Sequence, residues 1–548
     1  MKEKATLVFL NGNIITMEDS KPHVEAVAVK NDIIIAIGSD NEIKNYIDDS
    51  TTVIDLKGRF MMPGFNESHA HLLGLGESKQ ILDLREAKNW DEIVSMVAKA
   101  SEHSLPGIWI IGSGWHQEKF DPKPNPNING YPLHTELSKA SPENPVMLIH
   151  ASGHAIIANL KAMQIAGIDR KTKDPDGGII VHDSLGNVTG VFEETAEQLI
   201  RKYYEDYLNK RTSEQIYNDY TKQIQCATDD CLQKGITSFT DAGESFEVIN
   251  LIKQLSELNK LSIRLNVMVI DSFEAMKKKL KDYLIIGYGN NHLTVRAVKQ
   301  YMDGALGSRG AWLLKPYNDL PQSDGMEVTP LPTLQKVCDL AIENGFQMCI
   351  HAIGDRANRE VLNLYEKEFQ GHPDQKDIRW RIEHAQNLSK DDIPRFGKMH
   401  IIAAMQGIHC TSDAMFVPQR IGMLRAQEGA YVWRKLISSG ATICNGTDAP
   451  VEDVNPIKCF YASVTRKTSG GVEFFPDQKM TRLEALKSYT INGAFASFEE
   501  NIKGSIKIGK LADFVVLSDD LLKCPEDQIQ NTTVIYTIVG GNILYKSE

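Results

Sequence analysis

The sequence predicts an α/β protein: a (β/α)8 TIM-type barrel with a composite β-sandwich domain built from both termini and an inserted α+β subdomain after strand one. Three observations predict this architecture. Apolar strand-like runs alternate with helical stretches through the middle of the chain, as they do in parallel sheets and barrels. Eight such runs can be counted, which is the number that a closed barrel needs. Both ends of the 548-residue chain consist instead of short strand-like runs around glycine turns.

The two ends of the chain have the same β-rich character. Near the start, LVFLNGNIITM places Asn11-Gly12 between two apolar runs, which is a hairpin signal. Near the other end, GSIKIGKLADFVVLS and TTVIYTIVGGNILYK are again short runs separated by glycines. We therefore predict that residues 1–62 and 503–548 form the composite β-sandwich and that residues 63–502 hold the barrel.

The barrel strands are predicted from eight strand-like runs. In chain order they are FMMPGFNESHAH, ITSFTDAG, IRLNVMVI, LTVRAVKQYMDG, FQMCIHAIGD, IRWRIEHAQ, IIAAMQGIH and ATICNGTDAP. Helical stretches such as TLQKVCDLAIEN and NREVLNLYEKEF separate them. The alternative is an open doubly wound sheet, but no GxGxxG fingerprint follows any of these runs.

Residues 72–234 separate the first run from the second and are far too long for a single βα loop. This segment contains its own strand-like runs, GIWIIGSGW and NPVMLIHASGH, and a helical stretch, ETAEQLIRKYYEDYL. We predict an inserted subdomain. Because βα loops lie on the catalytic face of a barrel, we expect it to overhang the active site and shape the substrate pocket.

Composition excludes several classes of function. The 60 lysines and arginines against 72 acidic residues leave a formal charge of −12, which disfavours a nucleic-acid-binding surface. None of the eight cysteines forms a CxxC pair, so neither a zinc ribbon nor a disulfide scaffold is indicated. The apolar run near the start is too short for a signal peptide. No apolar run in the chain approaches the length of about 18 residues needed for a membrane span. We expect a cytoplasmic protein.

The most informative stretch is PGFNESHAHL, which carries His69 and His71. Two side chains two residues apart on a strand point to the same face. Two imidazoles side by side can bind one divalent metal. The alternative for this pair is two ordinary histidines of the core or the surface.

Further polar residues stand at or near the ends of later runs. Lys299 lies in run four, His351 ends run five, His384 ends run six, and Asp448 ends run eight. In a barrel, the C-terminal strand ends converge on one mouth. Four imidazoles, one lysine and one carboxylate gathered there could hold a two-metal centre.

These residues lie in motifs that, taken together, are highly specific. The motifs are GWHQEKF, SGHAIIANLKAMQIAGI, DPDGG, AVKQYMDGALGSRGAW, HAIGDRANREVL, RIEHAQ, MQGIHCTSDA and NGTDAPVEDVNP, with INGAFASFEENIKGSIKIGKLADFVVL near the C-terminus. On them the chain resembles the amidohydrolase superfamily and, within it, the YtcJ-like branch that includes N-substituted formamide deformylases. The likeness spans nearly the whole chain. It departs at His116, where the branch often has an aspartate.

The resemblance implies a set of metal ligands. His69 and His71 would bind the more buried metal, and His351 and His384 the second. It implies that Lys299, carboxylated by CO2, bridges the two ions, because an ordinary lysine is positively charged at neutral pH. The alternative is an unmodified Lys299 paired with Asp303, which would leave a one-metal site. The ligand types suit zinc, with iron, manganese and cobalt left open.

Asp448 is expected to move the proton and to contact the metal. A metal lowers the pKa of bound water to about 7, giving hydroxide that can attack a carbonyl. Its proton needs a carboxylate within hydrogen-bond reach, and Asp448 would pass it to the leaving nitrogen. The alternative role of Asp448 is a helix N-cap before Ala449-Pro450.

Other residues are candidates for supporting roles. Glu383 precedes His384 and, by strand alternation, should face the opposite side, with a structural role behind the ligands. His409 resembles a position that contacts substrate or carbonyl. For His154, in the insert, a surface role is an equal alternative. The full set of substrate-binding candidates is Trp115, His116, His154, Trp312, Tyr317 and His409.

The sequence therefore favours a metal-dependent hydrolase that cleaves the C–N bond of an amide, an N-substituted formamide or a related small molecule. An esterase, a lactonase or a deaminase on the same site is the alternative among enzymes. A non-catalytic binding protein on a degenerate barrel would lack ligands, and none of the six is missing here. We expect no nucleic-acid or membrane partner; a homo-oligomer is compatible with the sequence.

Overall fold

A computed structural model describes residues 3–151 and 155–547, so His154 lies outside the described residues. The chain divides into two compact units. The first comprises Met1–Leu72 and Ala227–Glu548, and the second comprises Leu73–Cys226. The domain limits of the sequence analysis stay predictions.

Eight parallel strands form the barrel of the first unit and follow one another in chain order. We name them β1 (Phe65–Ala70), β2 (Ile236–Glu244), β3 (Arg264–Val269), β4 (Leu293–Tyr301), β5 (Gln347–Ala352), β6 (Arg381–His384), β7 (Ile402–Gln406) and β8 (Ile443–Gly446). A short antiparallel strand, Ile285–Gly287, pairs with β4. The predicted barrel is confirmed, and every residue of β5 to β8 is buried, as expected for strands covered on both faces.

Backbone hydrogen bonds join the end of β1 to the segment after β8 and so close the ring. The amide of Asp448 donates to the carbonyl of His69 at 2.8 Å, and the amide of His71 donates to the carbonyl of Ala449 at 2.8 Å. The first and last predicted site residues are therefore neighbours across the closing seam of the barrel.

Helices follow the barrel strands. Their bounds are Phe246–Glu257, Phe273–Lys279, Leu331–Glu343, Asp355–Gly371, Ile393–Lys398, His409–Ser412, Val417–Ile421, Met423–Gly429, Trp433–Ser438, Pro456–Thr465, Arg482–Ser488 and Ile491–Ala496. The first two begin after Ser245 and Ser272, whose hydroxyls accept hydrogen bonds from otherwise unpaired amides of the first turn.

Strands from both ends of the chain share one six-stranded sheet. Its order is Asn542–Lys546, Val534–Val539, Phe514–Leu517, Phe60–Pro63, Asn13–Ile15 and His23–Val24. A four-stranded sheet has the order Ile33–Gly38, Ala26–Lys30, Leu7–Leu10 and Thr52–Asp55. One buried cluster contains Phe9 and Val27 from the smaller sheet and Ile14 and Phe514 from the larger. The sandwich itself, in its details, stays a prediction.

The first predicted run contains two strands that belong to different sheets. Phe60–Pro63 pairs with Phe514–Leu517, whereas β1 begins at Phe65 and pairs with β2. Gly64 lies between them, and a Cβ atom there would come within 2.2 Å of Thr237. The run listed for the first barrel strand therefore begins too early: only its part from Phe65 belongs to the barrel, and Phe60–Pro63 belongs to the six-stranded sheet.

The second unit has its own sheet of six strands, in the order Gly178–His182, Val188–Glu194, Ala155–Ala158, Val146–His150, Ile110–Trp115 and Leu82–Asp83. Asn127–Ile128 and Tyr131–Pro132 pair as a small hairpin. The helices in this part of the chain are Leu72–Ser78, Trp90–Glu102, His134–Ala140, Leu160–Ile165, Gln198–Asn209 and Ser213–Gln233. Its predicted place above the active site stays a prediction.

Within the described ranges, none of the helices combines the length and the apolar character that a membrane span requires.

Gly446 at the end of β8 provides a test of barrel closure. A Cβ atom there would lie 2.3 Å from the Glu67 carboxylate and 2.6 Å from the backbone nitrogen of His69. We expect Gly446→Ala to lower the free energy of unfolding by about 1–3 kcal/mol, the usual cost of overpacking a core. Denaturant unfolding measures this. Gly371→Ala is the matched control, since a Cβ atom at Gly371 meets nothing within 4 Å; equal stabilities of the two variants would contradict the close approach.

Candidate active site

A cavity of about 330 Å³ lies at the C-terminal ends of the barrel strands. Its size suits a small molecule. It is lined by all six residues predicted as ligands, namely His69, His71, Lys299, His351, His384 and Asp448. His409 lines the same cavity, together with the carboxylates Asp413 and Glu452.

His69, His71 and Asp448 form one group at this cavity. The Oδ1 atom of Asp448 lies 3.2 Å from Nε2 of His71 and 3.5 Å from Nε2 of His69. One potential ligand atom from each of the three side chains lies within 4.8 Å of the others. This arrangement is compact enough for the three side chains to bind a single cation.

Buried side chains behind His69 fix the orientation of its ring. Nδ1 of His69 contacts Oε2 of Glu383, and Arg381 donates two hydrogen bonds of 2.8 Å to the same carboxylate. Burial opposes ionisation of Glu383, but the charges of Arg381 and His69 outweigh it and lower its pKa to about 2. The carboxylate therefore holds the Nδ1 proton, and Nε2 of His69 is left for the cavity.

Strand alternation fails at this point. Glu383 and His384 were predicted to face opposite sides, yet Glu383 contacts His69 and the ring of His384 lies 4.9 Å from the ring of His69. His384 and Ala385 have φ angles of 72° and 44°, in the left-handed region. The extended backbone that alternation requires ends at His384, so its side chain also reaches the site.

His351, His384 and His409 form the other side of the cluster. The rings of His351 and His384 are 4.4 Å apart, and those of His384 and His409 are 6.4 Å apart. His384 contacts Oε1 of Gln406 through Nδ1 at 2.7 Å. His384, His409 and Asp448 form a second group whose ligand atoms lie within 4.8 Å of one another.

The donor atoms fit a metal. Burial is the largest cause of the lowered pKa of His351, which is about 3. Burial and His351 hold the pKa of His384 well below its ordinary value, so both imidazoles are neutral, the form that binds metals. Nε2 of His69 and Nε2 of His351 are buried and have no hydrogen-bond partner in the described part of the chain. Buried polar atoms are rarely left unpaired, so this feature needs a ligand to explain it.

Asp448 is held in place by its neighbours. Its φ angle of 56° is unusual for a residue with a side chain, and such strain clusters at functional sites. Burial raises the pKa of Asp448, but the neighbouring imidazoles of His69 and His71 and their charges hold it well below its usual range. Asp448 is therefore ionised. Its role as a helix N-cap is not seen, since the next helix begins at Pro456 after the cap Asn455.

Lys299 is completely buried beside this cluster. Burial is the main reason why its pKa is lowered. Its Nζ atom lies 4.8 Å from the centre of the Tyr301 ring and makes no ion pair or hydrogen bond to any described residue. The predicted alternative, pairing with Asp303, is not formed, because Asp303 accepts hydrogen bonds from the backbone amides of Trp312, Ile353 and Gly354.

Trp312 and Tyr317 are not among the side chains that line this cavity. The ring of Trp312 stacks against the guanidinium of Arg356, 4.2 Å away. Tyr317 is buried, and its hydroxyl donates to the carbonyl of Ala311 at 2.7 Å. Trp312 thus ties the long segment after β4 to the helix that follows β5, and Tyr317 makes a contact within that segment.

Trp115 and His116 belong to the second unit. Trp115 is buried and its indole nitrogen donates to the carbonyl of Leu148 at 3.0 Å. The rings of His116 and His150 are 4.6 Å apart. Substrate contact by these two residues, as by His154, stays a prediction.

Two residues with supporting roles were missed. Glu67 is fully buried and accepts hydrogen bonds from the amides of His69 and Thr447 at 3.0 and 2.9 Å, and from the Thr447 hydroxyl at 3.0 Å. It links β1 to the segment that carries Asp448. A signal was available, since Glu67 is a charged residue two positions before His69 in a buried strand. Gln406, which contacts His384, carried no such signal.

Comparison with known proteins places these features in context. The sequence profile described as "Amidohydrolase family" matches residues 52–545. The putative amidohydrolase YtcJ of Bacillus subtilis is 34% identical over 553 residues, covering 98% of this chain and 99% of that protein. The N-substituted formamide deformylase of Arthrobacter pascens is 26% identical, covering 100% of this chain and 99% of that enzyme.

A solved structure has a similar fold. The crystal structure of an uncharacterized metal-dependent hydrolase from Pyrococcus horikoshii OT3 superposes with a TM-score of 0.76 and 27% sequence identity. The superposition covers 95% of this chain and 99% of the other. The likeness therefore extends over the ends, the barrel and the residues between β1 and β2.

Proposed function

This chain belongs to the amidohydrolase family, and from that premise we propose that it hydrolyses a C–N bond in an amide, an N-substituted formamide or a related small molecule. Family membership supports metal-dependent hydrolysis in general. The observation that carries the proposal is a set of buried imidazole nitrogens that have no hydrogen-bond partner among the described residues and that meet the ionised Asp448 at one cavity. The resemblance to an N-substituted formamide deformylase supports the choice of bond.

The proposed ligands divide between two positions. His69 and His71, with Asp448, would hold one divalent ion, and His351 and His384 would hold the other. Zinc suits these nitrogen and carboxylate donors. A metal bound there supplies a Lewis acid that polarises a carbonyl and lowers the pKa of water to about 7. Glu383, through its contact with Nδ1, keeps Nε2 of His69 turned to the cavity.

Asp448 is the proposed proton carrier. It is ionised and lies at the cavity, so an oxygen of its carboxylate can accept a proton from the attacking water. The same oxygen can then deliver that proton to the nitrogen that leaves. The carboxylate is oriented by its contacts with His69 and His71, so proton transfer needs little rearrangement.

Lys299 is proposed to carry a CO2-derived carbamate that bridges the two positions. The reaction with CO2 requires a neutral amine, and burial shifts the Lys299 amine in that direction. An ammonium at this place would also repel a nearby cation. The absence of a carboxylate partner for Nζ among the described residues supports the modified form, which would convert the side chain into an anion.

Replacing Lys299 tests this bridge. We expect Lys299→Ala to reduce bound metal from about two ions per chain to about one or fewer, because a single ligand is lost from both positions. Elemental analysis measures the content, and added propionate should restore part of it by supplying a carboxylate. Lys336→Ala, at an exposed helix position, is the control.

The carbamate itself is visible by a second measurement. Wild-type protein equilibrated with 13C-bicarbonate should give a carbamate carbon resonance that Lys299→Ala lacks. Two ions per chain together with an unmodified Lys299 would contradict the carbamate bridge. The assignment of the histidines as metal ligands would not be affected by that result.

The reaction class is tested by elemental analysis beside a substrate screen. Purified, metal-loaded protein should hydrolyse members of a panel of N-formyl and N-acyl amines. The panel should also contain esters, lactones and aminopurines or aminopyrimidines, so that esterase, lactonase and deaminase activities are measured on the same sample. Turnover of only the esters, lactones, aminopurines or aminopyrimidines would overturn the proposal that the enzyme cleaves the C–N bond of an amide.

A further inference from the structure

One wall of the cavity carries two carboxylates that no lysine or arginine of the described residues neutralises. They are Asp413 and Glu452, and both line the cavity. The contrast with the next residue is direct, since Asp453 contacts Lys234 and also accepts from Lys458 at 2.9 Å. Asp453 is paired with lysines and lies outside the cavity. Glu452 lines the cavity and has no lysine or arginine partner among the described residues.

Asp413 is positioned by neutral donors. The hydroxyl of Tyr431 donates to its Oδ2 at 2.5 Å, and Nε2 of Gln386 donates to the same oxygen at 3.2 Å. Burial raises the pKa of Asp413, the hydrogen bond from Tyr431 and the charge of His409 oppose the rise, and the charge of Glu452 adds to it. Two carboxylates close enough to influence each other in this way have no lysine or arginine partner among the described residues.

His409 supplies a second, independent observation. It is 8% exposed, it lines the same cavity, and its buried Nε2 has no hydrogen-bond partner in the described part of the chain. The amide of Asp413 donates to the His409 carbonyl at 2.9 Å, so one helical turn presents both side chains. An unpaired buried imidazole nitrogen beside two carboxylates indicates a ligand that makes several polar contacts there.

We propose that Asp413, Glu452 and His409 form a subsite for a positively charged nitrogen of the substrate, an ammonium or a guanidinium. This inference rests on the proposed function: the scissile carbonyl would lie at the histidines and Asp448, and the cation at this wall. Leu306, Ile353 and Phe416 line the rest of the cavity and suit a short hydrocarbon chain between the two ends. Carboxylates recognise such cations through charge-assisted hydrogen bonds.

A pair of substrates that differ in one group tests the subsite. N-(4-aminobutyl)formamide carries an ammonium where N-pentylformamide carries a methyl group. We expect the wild-type kcat/KM to be at least about tenfold higher for the cationic substrate, the scale of one hydrogen bond to a charged group. Glu452→Gln and Asp413→Asn should each lower this ratio several-fold with unchanged metal content. Glu343→Gln, an exposed acid at the end of a barrel helix, should leave the ratio unchanged.

A binding measurement keeps the test independent of turnover. Calorimetry with n-pentylammonium and with 1-pentanol should show tighter binding of the ammonium to the metal-loaded wild-type protein, and the preference should be lost in the Glu452→Gln, Asp413→Asn double variant. Equal affinities in the wild type, or a preference that survives in the double variant, would overturn the subsite. Failure to hydrolyse either formamide would instead count against the proposed reaction, since the binding preference decides the subsite by itself.

Discussion

Protein in which both His69 and His71 are replaced by alanine should contain almost no bound metal and should have no measurable hydrolase activity. These two imidazoles are the nitrogen donors of one proposed position, and a site left with Asp448 alone offers too few ligands to retain an ion. The substitution of His69 also leaves Glu383 and Arg381 buried without the His69 ring. Elemental analysis after gel filtration, with kinetics on the same sample, measures both effects.

The control replaces His23, an exposed histidine of the six-stranded sheet, with alanine. Metal content and turnover of that variant should match the wild type. Circular dichroism checks that the double variant still folds, which is necessary because both histidines lie where β1 meets β8. Full metal occupancy in a folded double variant would remove His69 and His71 from the proposed ligand set.

Asp448→Asn should keep its metal and lose turnover by roughly 10²–10⁴-fold, the range expected when a general acid–base group is removed. Asparagine has almost the same shape and keeps one carbonyl oxygen toward His69 and His71. It has no carboxylate to accept a proton, so the step that transfers a proton to the leaving nitrogen is impaired. Steady-state kcat on a hydrolysed formamide, together with metal content, separates loss of proton transfer from loss of the ion.

Asp391→Asn serves as the matched control, because Asp391 is exposed and outside the cavity. Its turnover should equal that of the wild type. The leaving group provides a further check: an amine with a lower pKa needs less proton transfer, so the defect of Asp448→Asn should shrink as the leaving amine becomes less basic. A near wild-type kcat for Asp448→Asn would exclude it from the mechanism.

The barrel was predictable because parallel strands are buried on both faces and therefore appear as apolar runs in the sequence. All eight runs contain a barrel strand. The first run was nevertheless drawn too long at its start, since Phe60–Pro63 and β1 are both buried and only Gly64 separates them. Apolar character reports burial and does not report which sheet a segment joins.

The six predicted ligands meet at one cavity, which follows from the convergence of strand ends in a barrel. The same rule could not find Glu67 or the true position of Glu383. Alternation assumes extended backbone, and His384 departs from it at φ 72°. Trp312 and Tyr317 were conspicuous as aromatic residues, but the Trp312 ring stacks against Arg356, the Tyr317 hydroxyl donates to the Ala311 carbonyl, and neither residue lines the cavity.

The barrel and the residue types at the strand ends follow from the sequence alone, because burial and strand order are encoded locally. Which ring nitrogen of His69 and of His384 is held by a neighbouring side chain follows only from the folded chain. Glu383 contacts Nδ1 of His69 across 314 positions of sequence, and Gln406 contacts Nδ1 of His384 from the next strand. Such contacts depend on the closure of the barrel, and no local pattern encodes them. The same closure leaves Asp413 and Glu452 at the cavity without a lysine or arginine partner in the described chain.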